Sequence, residues 1–153
     1  MRGRATRWIA AAGLVAGCHG GHDMDSGHDA HGGGDGDGAA LITGRSGETE
    51  GGSFTVSWAP TPDPIALSEE FDLAITVAES GGGAPEGARL GVDATMPAHG
   101  HGMPVLPTVT ESAPGQWVAE GLLFQMAGDW VLEIVVETDT AVESASFAVD
   151  CCG

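Results

Sequence analysis

The chain is 153 residues long, with 22 acidic residues against 5 basic ones, no Lys, a formal net charge of −17 and 26 Gly. That length fits one ordinary domain with tails and is too short for two full domains. The acidity excludes a nucleic-acid binder and a basic membrane-surface patch, since both need clustered Lys and Arg.

Three of the five basic residues, Arg2, Arg4 and Arg7, lie in the first seven positions, and no acid occurs before Asp23. A short apolar stretch, Trp8 to Val15, follows. A basic start, a short apolar run and small residues are the anatomy of a signal peptide, and the run is too short for a bilayer-spanning helix. The ending Leu14-Val15-Ala16-Gly17-Cys18 resembles the lipobox of bacterial lipoproteins. The resemblance implies a removable leader over 1–17 and a Cys18 that is acylated and becomes the first mature residue. Multiple acyl chains would anchor it durably. With His19 rather than Asp after the cysteine, the resemblance points to the periplasmic face of the outer membrane. Beyond the leader only Arg45 and Arg89 face all 22 acids, so long-range attraction favours cations.

Residues 18–52 are expected to be a disordered tether. The stretch from Gly17 to Gly52 holds half of the 26 glycines and, apart from Leu41-Ile42, no apolar run. Such a composition cannot offset its ordering entropy. It carries four of the six His, namely His19, His22, His28 and His31, among Asp residues. Imidazole and carboxylate are metal ligands, but a tract without preorganised geometry collects metal only weakly.

From Phe54 the pattern turns to period two, the signature of half-buried strands. Phe54, Val56 and Trp58 alternate; so do Phe71, Leu73, Ile75 and Val77, and then Leu90, Val92, Ala94 and Met96. Val105 to Val109 holds Pro107 and follows Pro104, which suits an edge strand. Trp117 to Phe124, Trp130 to Val136 and Ala145 to Val149 complete about seven strands. The expected fold is all-β, an immunoglobulin-like β-sandwich over 53–150. With only four Phe and no Tyr, Trp58, Trp117 and Trp130 are its largest expected core pieces. Residues 151–153, with Cys151 and Cys152, read as a tail past the last strand. Nothing in the sequence orients those thiols for Cu(I) binding or for intermolecular disulfides.

The richest chemistry lies in Met96-Pro97-Ala98-His99-Gly100-His101-Gly102-Met103-Pro104. Thioether sulfur suits Cu(I) and serves Zn²⁺, Ca²⁺ or Mg²⁺ poorly, whereas imidazole suits copper in either state. In an extended segment His99, His101 and Met103 would face one way. Met126, in Phe124-Gln125-Met126-Ala127-Gly128-Asp129-Trp130, can approach from a neighbouring loop. Taken singly, Met96 and Met126 also read as core filler. Jointly, Met96, His99, His101, Met103 and Met126 are the candidate metal ligands, with copper, as Cu(I), ahead of zinc.

Asp93-Ala94-Thr95-Met96-Pro97 through His101-Gly102-Met103, followed by Gly121 to Trp130 with Phe124-x-Met126-x-Gly128-x-Trp130, resembles the YtkA-like/FixH-like domain over about residues 54–150. The resemblance implies an immunoglobulin-like sandwich outside a membrane, active in copper handling or oxidase assembly. Its motif positions fall on Met96, His101, Met103 and Met126; His99 stands where many relatives carry Met or Gly. The His101-x-Met103 pair also resembles periplasmic copper chaperones of the PCuAC type.

No His-Glu-x-x-His, Gly-x-Ser-x-Gly or phosphate-cradling glycine motif occurs. The chain is therefore expected to be a non-catalytic, membrane-anchored, extracytoplasmic copper-binding protein for buffering, delivery or resistance. Its expected partners are the metal ion, the membrane through the lipid anchor, and a copper exporter, oxidase or copper chaperone. The rival expectation is an interaction module that docks on a membrane efflux or oxidase-assembly complex without an essential metal.

Overall fold

A computed structural model describes residues 40–152. The expected leader, Cys18 and the four tether histidines His19, His22, His28 and His31 lie outside the described residues. Among the described residues there are ten strands: β1 (Ile42–Thr43), β2 (Ser46–Glu48), β3 (Phe54–Thr61), β4 (Glu70–Glu79), β5 (Arg89–Met96), β6 (His101–Gly102), β7 (Thr108–Ala113), β8 (Gln116–Leu123), β9 (Gly128–Glu137) and β10 (Val142–Cys151). They form two five-stranded sheets, in the orders β1-β10-β9-β5-β6 and β2-β3-β4-β8-β7. All neighbours are antiparallel except β1 and β10, which run parallel. The molecule is an immunoglobulin-like β-sandwich.

The alternation of side chains dictates this packing. In β3 and β4, Phe54, Val56, Trp58, Phe71, Leu73, Ile75 and Val77 are buried, and in β9 and β10 so are Trp130, Leu132, Ile134, Val136, Ala145, Phe147 and Val149. Each strand of period two shows one apolar face, and the two sheets bury those faces against each other. Trp58, Trp117 and Trp130 are all in the core, as their sequence positions predict. Trp58 meets Phe147 of the opposite sheet edge-on, at 6.1 Å between ring centroids.

Two boundaries differ from expectation. Strands β1 and β2 lie inside the stretch read as tether, because Leu41-Ile42 is its one apolar pair and Ile42 packs onto the core across Gly47. The loop between β2 and β3 is also anchored. Glu143 accepts hydrogen bonds from Thr49 Oγ1 and Ser53 Oγ, each at 2.5 Å, and from the Ser53 amide at 3.1 Å. At the other end β10 runs on to Cys151, which pairs with Gly128 and is buried. The edge strand expected at Val105–Val109 is instead β7, Thr108–Ala113, on the edge of the second sheet. Pro104 and Pro107, which cannot donate to a ladder, keep the preceding residues in the loop.

One irregularity decides what reaches the functional end. Phe71 faces Leu122, yet Leu73 faces Ala119, so Glu120 and Gly121 together oppose Asp72. Gly121 adopts φ +79° and its amide donates to Asp72 Oδ1 at 3.0 Å. This is a β-bulge, and it reverses which residues point inward. Before it Trp117 and Ala119 are buried; after it Leu122 and Phe124 are.

Candidate metal site

The strand register gathers the His and Met residues at one end of the sandwich. Strands β5 and β6 pair as Thr95 with Gly102 and Met96 with His101. The four residues between them turn tightly, with the amides of His99 and Gly100 both donating to the Met96 carbonyl at 3.0 Å. Gly100 makes this possible at φ +66°, a region L side chains avoid. The expectation that His99, His101 and Met103 lie along an extended segment is therefore corrected: Pro97 to Gly100 is a hairpin turn. The turn still brings the His99 and His101 rings to 5.9 Å between centroids. Beyond β6 the Met103 amide donates to Ala94 O at 3.1 Å, and Met103 packs half-buried against the core.

The second contribution comes from residues 124–127, which cross from β8 in one sheet to β9 in the other. After the bulge, Phe124 inserts into the core, stacks on Trp130 at 4.5 Å and meets Phe71 edge-on at 4.9 Å. Trp130 in turn stands edge-on to His101 at 6.0 Å, and its indole N–H donates to the Met126 carbonyl at 2.9 Å. This aromatic stack fixes the crossover from beneath. Met126 is left exposed, at 37%, with its sulfur 3.3 Å from His101 Nε2. Gln125 sits behind the ring: its amide nitrogen lies 3.2 Å from His101 Nδ1 and donates to Gly102 O at 3.1 Å.

The sequence-expected ligands thus divide. His101, on β6, and Met126, on the crossover that leads into β9, come together at one end of the first sheet, with His99 next to them at the surface. Met96 is 2% exposed and belongs to the core, its terminal methyl lying 2.9 Å from where a side chain at Gly128 would begin.

The chemistry of this donor set is soft. Ligand bonds of about 2.0 Å to nitrogen and 2.3 Å to sulfur at a tetrahedral angle put the two donors roughly 3.5 Å apart. The observed 3.3 Å between His101 Nε2 and Met126 Sδ is close to that bite. No group of three or more His, Cys, Asp or Glu converges as a metal cage among the described residues. The facing pair is an imidazole nitrogen and a thioether sulfur, a combination that suits Cu(I) better than Zn²⁺.

The displaced carboxyl pKa values lie elsewhere. Hydrogen bonds from Ser53 and Thr49 hold the Glu143 carboxyl below the usual range. The Arg45 guanidinium does the same for Asp63, through contacts of 2.6 and 2.9 Å.

Cys151 and Cys152 are not a free tail. Cys151 closes β10, is 2% exposed and is joined to Cys152 as a disulfide. Both line a cavity of about 540 Å³ with Arg45, Trp58, Leu67 and Asp150. The cavity holds none of the His or Met candidates.

Gln125 is the site residue that sequence reasoning passed over. It stands between Phe124 and Met126. Its signal is a lone amide between Leu122-Leu123-Phe124 and Met126, where a buried polar group needs a partner. Comparison with protein-family models, with curated proteins and with solved structures gives no match.

Proposed function

We propose that the chain is a membrane-anchored, extracytoplasmic copper-binding protein that holds Cu(I) as cargo, for buffering, delivery or resistance, without turnover. The observation that carries this reading is the 3.3 Å approach of His101 Nε2, on β6, to Met126 Sδ, on the crossover before β9. His101 and Met126 are the central ligands. His99, whose ring lies 5.9 Å from that of His101, and Met103, two residues beyond His101, would complete the shell, and Met96 supports the hairpin from the core. The tether histidines His19, His22, His28 and His31 would collect metal weakly, Cys18 would carry the lipid, and the acidity would draw cations in.

Titration of the full chain with Cu(I) against a chromophoric chelator tests this. His101→Ala and Met126→Ala should each weaken binding by at least about tenfold, or 1.4 kcal/mol. Affinity no tighter than about 1 μM, or equal in both variants and wild type, rejects it.

The rival reading, a docking module for a membrane efflux or oxidase-assembly complex, draws on Leu106. It is 91% exposed in the loop that leaves the site, an apolar side chain available to a partner. That reading predicts partner capture that survives removal of all metal and is lost in Leu106→Asp.

A further inference from the structure

Gln125 presents an unusual imbalance. Its Nε2 faces two acceptors, His101 Nδ1 at 3.2 Å and Gly102 O at 3.1 Å. Its Oε1 is fully buried and has no hydrogen-bond partner among the described residues. The opposite amide orientation would set Oε1 against the Gly102 carbonyl oxygen at 3.1 Å, and two acceptors repel there. The observed orientation is therefore the favoured one. It requires His101 Nδ1 to accept. A neutral imidazole has one ring proton, so that proton sits on Nε2, which points at Met126 Sδ.

A metal bound through Nε2 needs the reverse arrangement, with the proton on Nδ1 and an acceptor facing it. Two acceptors are in reach. Gly102 O is 3.2 Å from Nδ1, but Gln125 Nε2, also 3.2 Å from Nδ1, would set a second donor against a proton there. Gln125 Oε1 becomes available only when the amide turns over. We propose that Gln125 is a positioning residue that sets which ring nitrogen of His101 carries the proton, and so keeps Nε2 closed to a soft cation until the amide moves. The inference rests on the copper reading for its consequence, but the tautomer itself does not. On binding, the His101 proton transfers from Nε2 to Nδ1 through solvent, the Nε2 lone pair bonds the ion, and the ring releases no net proton.

The test is made on the full chain. At pH 8, ¹⁵N shifts of the metal-free protein should show His101 Nε2 protonated and Nδ1 bare. A protonated Nδ1 overturns the proposal without any variant. Gln125→Leu removes the donor and frees Gly102 O, so the Nδ1-protonated form should grow. Cu(I) affinity should then rise about 3- to 10-fold, the worth of one hydrogen bond. A residue that merely supports the site would weaken binding when removed. An unchanged tautomer, or unchanged or lower Cu(I) affinity in Gln125→Leu, overturns the closing role. The copper reading is judged separately by His101→Ala and Met126→Ala. If those leave affinity intact, the closing role falls with the metal site while the tautomer measurement still decides the hydrogen-bond assignment.

Discussion

Met96 and Met126 are chemically the same side chain in opposite situations. Met96 ends the inward series of β5 and is 2% exposed, whereas Met126 sits on the crossover with its sulfur on His101. Met96→Leu is a volume-conserving core swap and should cost under about 1.5 kcal/mol, with Cu(I) affinity held within about twofold. Met126→Leu should leave chemical denaturation unchanged within about 0.5 kcal/mol and lose most of the affinity. Gly128 lies beneath this pair at φ +127°, and an added Cβ would meet the Met96 methyl at 2.9 Å. Gly128→Ala should therefore destabilise by more than about 1 kcal/mol, read from the urea midpoint, through backbone strain and the lost space together. The division between the two methionines was not legible in the sequence. Period two placed Met96 inward correctly, but no local pattern says that the hairpin turn would return His101 over the crossover.

At the level of elements, the long strands were legible because each buries one face of a regular alternation, as β9 does from Trp130 to Val136. The bulge at Glu120–Gly121 was not. It interrupts the period, and only pairing with Asp72 on β4 reveals that two residues oppose one. Gln125 depends on the same event, since the reversed facing sends Phe124 inward and sets the amide behind His101. The strands within the presumed tether were missed because they are two and three residues long, below the reach of any periodicity. Their loop is held by Glu143, and here pH enters. The folded carboxyl titrates below its unfolded value because Ser53 and Thr49 donate to the ionised form. Its contribution is thus fully present above the unfolded value of about 4.3 and is lost as pH falls through the lower, folded value. Urea unfolding of wild type should weaken through that acid window. Glu143→Gln should lower stability at neutral pH and flatten this part of the acid limb.

For the whole molecule, a ligand that binds only the folded chain must report on global stability. Cu(I) at about 100 times its dissociation constant should add about 2.7 kcal/mol to unfolding, a rise of several degrees in Tm for a domain of this size. Calorimetry of the full chain should show the shift, and His101→Ala or Met126→Ala should abolish most of it. The fold class, the core tryptophans and the loop that carries His99, His101 and Met103 were all readable at this scale. The pairing of that loop with Met126 was not, because it depends on the register of β5 with β6 and β9.

The outer strands of the first sheet, β1 and β6, are two residues each. Such stubs leave long stretches of β10 and β5 without a neighbour, an arrangement that elsewhere invites strand-by-strand polymerisation. The rims carry Asp150 on β10 and Asp93 with Arg89 on β5, in a chain of formal charge −17. Two copies approach as bodies of like net charge, so crowding should not drive them into fibrils at moderate salt. Divalent cations and high ionic strength remove that protection.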